Sequence, residues 1–306
     1  MKKIVFIPIL LATIFIIGCA RTPNELYTIV VGGNFGFIDE TGKIRIEPQY
    51  SAATGFSEGL AGVQTQHRYG FINKRGKFAI KPQFQMAHKF SDGMAAVSRS
   101  NATGFIDKRG NLVIPHRFFT AGNFSDGLAS VRHGRNFGFI DKTGNMVIPA
   151  RFEVMGAFSD GLSAMRSGSR WGYVDKSGHF IIEPQFENAG RFSEGLAAVQ
   201  LNGKWGFIDK DGNVVIQPQF SKVFRFTHEL ACVESEGRWG YINKEGNFVI
   251  QPSFQIAFPF EGSLALASNG EKPFYINKEG SVVYEFPFSN VGSLFRDKIA
   301  EFDESR

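Results

Sequence analysis

A tripeptide of aromatic, glycine and aromatic returns every 34 residues, and that spacing constrains the fold more than any other feature of the chain. It stands at Phe35-Gly36-Phe37, Tyr69-Gly70-Phe71, Phe137-Gly138-Phe139, Trp171-Gly172-Tyr173, Trp205-Gly206-Phe207 and Trp239-Gly240-Tyr241. Thr103-Gly104-Phe105 and Pro273-Phe274-Tyr275 are weaker copies on the same register, so eight registers follow one another without an insertion or deletion. A chain of 306 residues, 43% of them apolar, has material for a large core, but the repeat divides that core into small, equal units.

The copies form an internal substitution series. Seven residues after the first triplet position there is always glycine: Gly42, Gly76, Gly110, Gly144, Gly178, Gly212, Gly246 and Gly280. A glycine closing a "DKxG" hairpin turn fits a position that needs positive φ. The residue opening the turn is Asp39, Asp107, Asp141, Asp175 or Asp209, but Asn73, Asn243 or Asn277 elsewhere. A general base or metal ligand could not lose its charge this way, whereas Asp and Asn close a turn equally well. The repeat is therefore structural.

Each unit reads as a three-stranded antiparallel meander: an "LAAV" strand, the triplet strand, and a "VVI" strand closed by proline at Pro48, Pro82, Pro184, Pro218 or Pro252. In two units the proline comes one residue earlier, at Pro115 and Pro149. A connector of about a dozen residues follows, with room for a short fourth strand, and carries Phe56, Phe90, Phe124, Phe158, Phe192, Phe226 or Phe260. In the triplet strand the two aromatics point to one face and the next residue, an Ile in seven units, to the other. A sheet apolar on both faces must lie between two others, with the triplet glycine admitting a close neighbouring backbone. The fold class is all-β, and unbroken spacing favours a β-propeller; an open superhelical β-repeat array is the alternative.

The unit "GLAAVQLNGKWGFIDKDGNVVIQPQF", ending at Phe220, resembles that of the bacterial WG-repeat proteins, and the resemblance covers about residues 26–288. Trp itself occupies the triplet only at 171, 205 and 239, so the other copies diverge from the family pattern. The resemblance implies tandem β units with an interaction or envelope role, and no established catalytic activity.

The first 18 residues read as a signal peptide: Lys2 and Lys3, an apolar run from Ile4 to Ile17, then Gly18. That run of 14 residues would extend about 21 Å as a helix, short of a bilayer core of about 30 Å. "IIGC" resembles a lipoprotein cleavage motif, which makes Cys19 the expected lipidation site, with 19–25 as tether and 289–306 as a C-terminal tail. At about 0.8 kcal/mol per buried CH₂, two or more chains would hold the protein on a membrane. In the lipoproteins this motif resembles, an acidic residue after the cysteine often retains the protein at the inner membrane, so the resemblance implies, with Ala20 in that place, an outer membrane where the cell has one.

No catalytic motif emerges, and neither metal nor cofactor is expected. His67, His88, His116, His133, His179 and His228 occupy no common repeat position and form no metal-spaced pair. Cys232 stands where other copies have small residues and reads as a buried thiol. Ser-acid-Gly in the connector, as at Ser57-Glu58-Gly59, gives way to Thr227-His228-Glu229 and reads as a turn. The recurring aromatics read as core, since sugar-stacking platforms need not recur on every strand.

What varies between copies is the hairpin tip before each triplet, and variable tips on a fixed scaffold are where recognition concentrates. Arg68, Arg132, His133, Arg135, Arg166, Arg170, Lys204 and Arg238 lie there as candidate residues for an anionic ligand. Residues 68–151 hold 14 Lys/Arg against 4 Asp/Glu, a net of +10, while 221–306 hold 9 against 12, a net of −3. These features point to a non-catalytic, lipid-anchored binding or scaffolding module of the cell envelope, with an anionic component or protein as partner and no nucleic acid. The runner-up is a glycan-directed envelope enzyme, for which Glu153, Glu187 and Glu261 are the unrepeated acids; a subunit of a larger complex is a third reading.

Overall fold

The computed structural model describes residues 25–154 and 156–287. The expected leader (1–18), Cys19, the tether up to residue 24 and the tail (289–306) lie outside the described residues.

Every described element is a β-strand. In the sixth unit Leu196–Leu201, Lys204–Ile208 and Val214–Phe220 pair antiparallel in chain order. The turn before the last of these is closed as the Asp/Asn alternation requires. Asp209 Oδ1 accepts the N–H groups of Asp211 and Asn213 at 3.0 and 2.8 Å, and Asn73 Oδ1 accepts those of Arg75 and Lys77 at 3.0 and 3.1 Å. The oxygen does the work, so the charge is dispensable. Gly212 closes the turn at φ +88°.

Contrary to the expectation from the sequence, proline does not close the third strand; the strand runs through it, from Ile44 to Tyr50 in the first unit. Pairing jumps from Phe37↔Ile46 to Phe35↔Tyr50, a bulge that takes Pro48 out of the ladder. A Cβ on Gly36 would stand 2.7 Å from both Ile46 O and Pro48 N. The triplet glycine thus makes room for the bulged strand of its own sheet.

The connector does supply a fourth strand, and it pairs forward. Lys222–Thr227 pairs with Leu230–Ser235 of the next unit, giving the sheet order connector, "LAAV", triplet and third strand. Five sheets have all four strands. In the fourth and fifth the connector contributes isolated bridges, among them Ala121↔Val131 and Ser159↔Leu162, and the first shows three strands among the described residues.

The eight sheets are blades of a β-propeller. Phe37 and Ile38 point to opposite faces of blade 1 and neither is exposed, as a sheet packed on both sides demands. One contact recurs between blades: the third triplet aromatic meets the connector Phe of the next blade. Ring centroids are 4.8 Å apart for Phe37–Phe56, Phe71–Phe90, Phe105–Phe124, Phe139–Phe158 and Tyr173–Phe192, and 4.9 Å for Phe207–Phe226 and Tyr241–Phe260. Such pairs contribute about 0.5–1.5 kcal/mol beyond area burial, which explains a chain so rich in phenylalanine.

The ring closes where blade 8 meets blade 1. Leu26, Ile29 and Val30 share one core with Leu264, Leu266 and Phe286. Tyr275 lies 5.7 Å from both Tyr27 and Phe286. Closure excludes the open array.

Candidate functional site

In an antiparallel four-stranded sheet the first and third turns share one end and the middle hairpin takes the other. The propeller therefore has a face of Ser-acid-Gly and "DKxG" turns and an opposite face of hairpin tips.

On the first face the Ser-acid-Gly turns join neighbouring blades. The N–H of Gly127, Gly161 and Gly195 donates to the carboxylate of Asp92, Asp126 and Asp160 at 2.7, 2.6 and 2.7 Å. Glu58 accepts from Gly93 at 3.1 Å and Glu194 from Glu229 at 3.0 Å. In blade 7 the acid is replaced by His228, whose Nε2 accepts from Gly262 at 2.7 Å. At the seam Gly262 has no side chain to offer, and Glu25 of blade 1 reaches back, accepting from Ser263 N at 3.2 Å and Tyr27 Oη at 2.6 Å. Burial, reinforced by Glu25, pushes the Tyr27 phenol up and keeps it a donor.

A cavity of about 360 Å³ opens among these turns. It is lined by Arg225 and His228 of blade 7, Glu261 of blade 8, Glu25 of blade 1, Glu58 of blade 2 and Lys89 of blade 3. Blades 3 and 7 are opposite in a ring of eight, so this cavity lies at the propeller axis on the face of turns. Burial works against the charge of Glu58, but Lys108 at 2.8 Å and the Gly93 N–H hold its pKa below the ordinary glutamate value. Thr227, also lining the cavity, has a buried Oγ1 with no hydrogen-bond partner among the described residues.

The unrepeated acids do not assemble. Glu261 lies at the axis, whereas Glu153 and Glu187 lie on the tip face against Arg166 (3.1 Å) and Arg170 (4.0 Å). Among the described residues no three His, Cys, Asp or Glu side chains gather as a metal would require. Cys232 is fully buried beside Tyr241, and burial pushes its thiol well up, as a structural thiol demands. The third triplet aromatics are core, as expected, while Tyr69, Trp171 and Trp205 at the first position are half-buried.

The basic tips all project from the second face and are exposed. Arg166 and Arg170 are answered by Glu153 and Glu187. Arg132 stacks over Phe119 at 5.5 Å and donates to Gly134 O at 3.1 Å. His133, Arg135, Lys204 and Arg238 make no ion pair among the described residues. Arg68 borders a second cavity of about 380 Å³ between blades 2 and 3, and across it stands Arg99, which the sequence reading passed over. Arg99 lies in the hairpin of the weakest internal triplet, Thr103-Gly104-Phe105, where the missing first aromatic hides the tip.

The family model described as a WG containing repeat matches residues 35–66, 69–101, 104–136, 137–170, 171–205, 205–239 and 239–272. Each match starts within a triplet and ends at the tip or on the first triplet residue of the next blade, so the family's unit straddles two sheets. Among solved structures, a eukaryotic initiation factor aligns with a TM-score of 0.53 at 10% identity, over 89% of this chain and 87% of that one. At that identity the likeness is one of fold. BamB from Moraxella catarrhalis aligns with a TM-score of 0.49 at 12% identity over 83% and 92% of the two chains. Hsv2p from Kluyveromyces lactis aligns with a TM-score of 0.49 at 10% identity over 72% and 90%. No curated protein matches the chain in sequence.

Proposed function

The chain belongs to the family of WG-containing repeats, and from its closed, eight-bladed form we propose that it is a non-catalytic binding propeller of a cell envelope, tethered by lipid on Cys19, that presents its tip face to an anionic component. The observation that carries this reading is the gathering of the variable basic residues on one face. Arg68, Arg99, Arg132, Arg135, Arg166, Arg170 and Lys204 succeed one another around blades 2 to 6. Residues 68–151 hold 14 Lys/Arg against 4 Asp/Glu, and Arg68, Arg99, Arg132 and Arg135 of that excess stand on the tip face. A one-signed sector on a rigid disc concentrates counter-charged partners and steers their approach. The residues before the propeller support the envelope location by their basic-then-apolar run ending in Gly18-Cys19.

The second reading, a glycan-directed enzyme working at the axis, draws its support from Glu25, Glu58 and Glu261 around the axial cavity. Two of these already join blades, Glu25 through Ser263 and Glu58 through Gly93, which suits construction better than proton transfer.

Vesicle sedimentation of the protein carrying Cys19→Ala tests the proposal. Binding to vesicles rich in phosphatidylglycerol that falls with rising salt, and no binding to phosphatidylcholine, is expected. Absent or salt-independent binding would remove the anionic component from the proposal.

A further inference from the structure

The repeat supplies its own control for what an arginine on the tip face does. Arg170 and Glu187 stand 17 residues apart and approach to 4.0 Å. The same two positions in blade 2 hold Arg68 and Gln85. The acid that answers the arginine in blade 5 is a neutral amide here, and Gln85 lines the cavity that Arg68 borders.

The other wall makes a second departure. Arg99 occupies a tip position held by Val31, Thr65, His133, Ser167, Leu201, Ser235 and Asn269 in the other units. Two arginines from adjacent blades therefore border one notch, completed by Pro82, Gln83, Gln85 and Ser100, with no carboxylate in its lining among the described residues. Like charges set across a common cavity repel each other, and an anion between them turns that repulsion into attraction. Guanidinium groups present paired N–H donors that match the oxygens of phosphate, and amide and hydroxyl side chains add neutral donors. A volume of about 380 Å³ admits one or two phosphate groups with their substituents.

We propose that the notch between blades 2 and 3 is a specific oxyanion site for a phosphate group, gripped by Arg68 and Arg99. This rests on the reading of the tip face as an anion-receiving surface and narrows it to one place. The phosphate comes from a lipid headgroup or from a soluble phosphate ester.

Isothermal titration of the full chain carrying Cys19→Ala with inorganic pyrophosphate is expected to show one saturable site. The double substitution Arg68→Gln with Arg99→Gln weakens it at least tenfold. Lys204→Gln with Arg238→Gln removes the same charge from other blades and leaves affinity within twofold. Gln85→Glu installs the acid of blade 6 and weakens binding at least tenfold, with an unchanged thermal midpoint showing that the fold is intact. Pyrophosphate that displaces the chain from phosphatidylglycerol vesicles assigns the site to a headgroup phosphate, and pyrophosphate that binds without displacing it assigns the site to a soluble ester. Absence of saturable binding, or equal weakening by both double substitutions, overturns the notch. If vesicles still bind in a salt-dependent way when it is overturned, the tip-face reading survives alone; if they do not, both readings fall.

Discussion

The phenol of Tyr275 donates to the backbone carbonyl of Thr28 at 2.8 Å, across 247 residues of chain. Tyr241 makes the regular version of this bond, to Phe258 O in the next blade at 2.8 Å. Both phenols are buried. At the seam Tyr275 has reached a different strand, and Phe286 stands beside it in place of a connector phenylalanine.

Tyr275→Phe keeps the ring and leaves the Thr28 carbonyl unsatisfied, so a loss of about 1–2 kcal/mol in denaturant unfolding is expected. Because the seam joins the two ends of the ring, the same variant should be cleaved faster than Tyr241→Phe in limited proteolysis near residues 25–31. Equal cleavage of the two variants would contradict a seam held by these contacts.

Two glycines of one blade should respond unequally to an added methyl. A Cβ on Gly70 would lie 2.6 Å from Ile80 O, backbone that cannot yield, and Gly70→Ala should cost about 2–3 kcal/mol. A Cβ on Gly62 meets the side chain of Thr54 at 3.3 Å, and the equivalent positions hold Ala96, Ala164 and Ala198. Gly62→Ala should therefore stay within about 1 kcal/mol of the parent in the same unfolding measurement.

Asp39 gives the acid limb of stability a defined element. Burial alone would raise its pKa, but the Thr41 hydroxyl at 2.6 Å, Arg45 Nε at 2.6 Å and two backbone N–H groups bring it down from 3.8 to about 2. A depressed carboxyl stabilises the fold above its unfolded value and loses that contribution as pH falls through the folded one. Asp39→Asn preserves the turn, as Asn73 does, but gives up the ion pair. It should cost about 1–2 kcal/mol near neutrality, a cost that shrinks as pH falls below about 4 and vanishes only below about pH 2, seen as converging unfolding curves.

Cys19→Ala should abolish incorporation of a labelled fatty acid and move the protein from the membrane to the soluble fraction. Undiminished labelling would place the lipid elsewhere or nowhere.

The periodicity made the blades legible but not their boundaries. A repeat of 34 has a period without a phase, and the connector segment around His88-Lys89-Phe90 is too short and too polar to declare which neighbour it pairs with. Pro48 reads as a strand end because the bulge that accommodates it depends on Gly36, twelve residues earlier, giving up its side-chain space. The tip arginines were legible as variable positions, yet their pairing was not: Glu187 and Arg170 meet only because the connector returns beside the hairpin it follows. The axial cavity was beyond local reading, since Glu25 and Glu261 become neighbours only when the ring closes.

The offset between the family's unit and the blade bears on how such a chain can grow or shrink. Each match carries the outer half of one sheet and the inner half of the next. Loss or duplication of 34 codons anywhere between residues 35 and 272 therefore leaves every sheet whole, because the severed halves are interchangeable. Recombination would change only how many sheets the circle must accommodate, while Tyr27, Thr28 and Tyr275, lying outside that stretch, would still be there to lock whatever circle results.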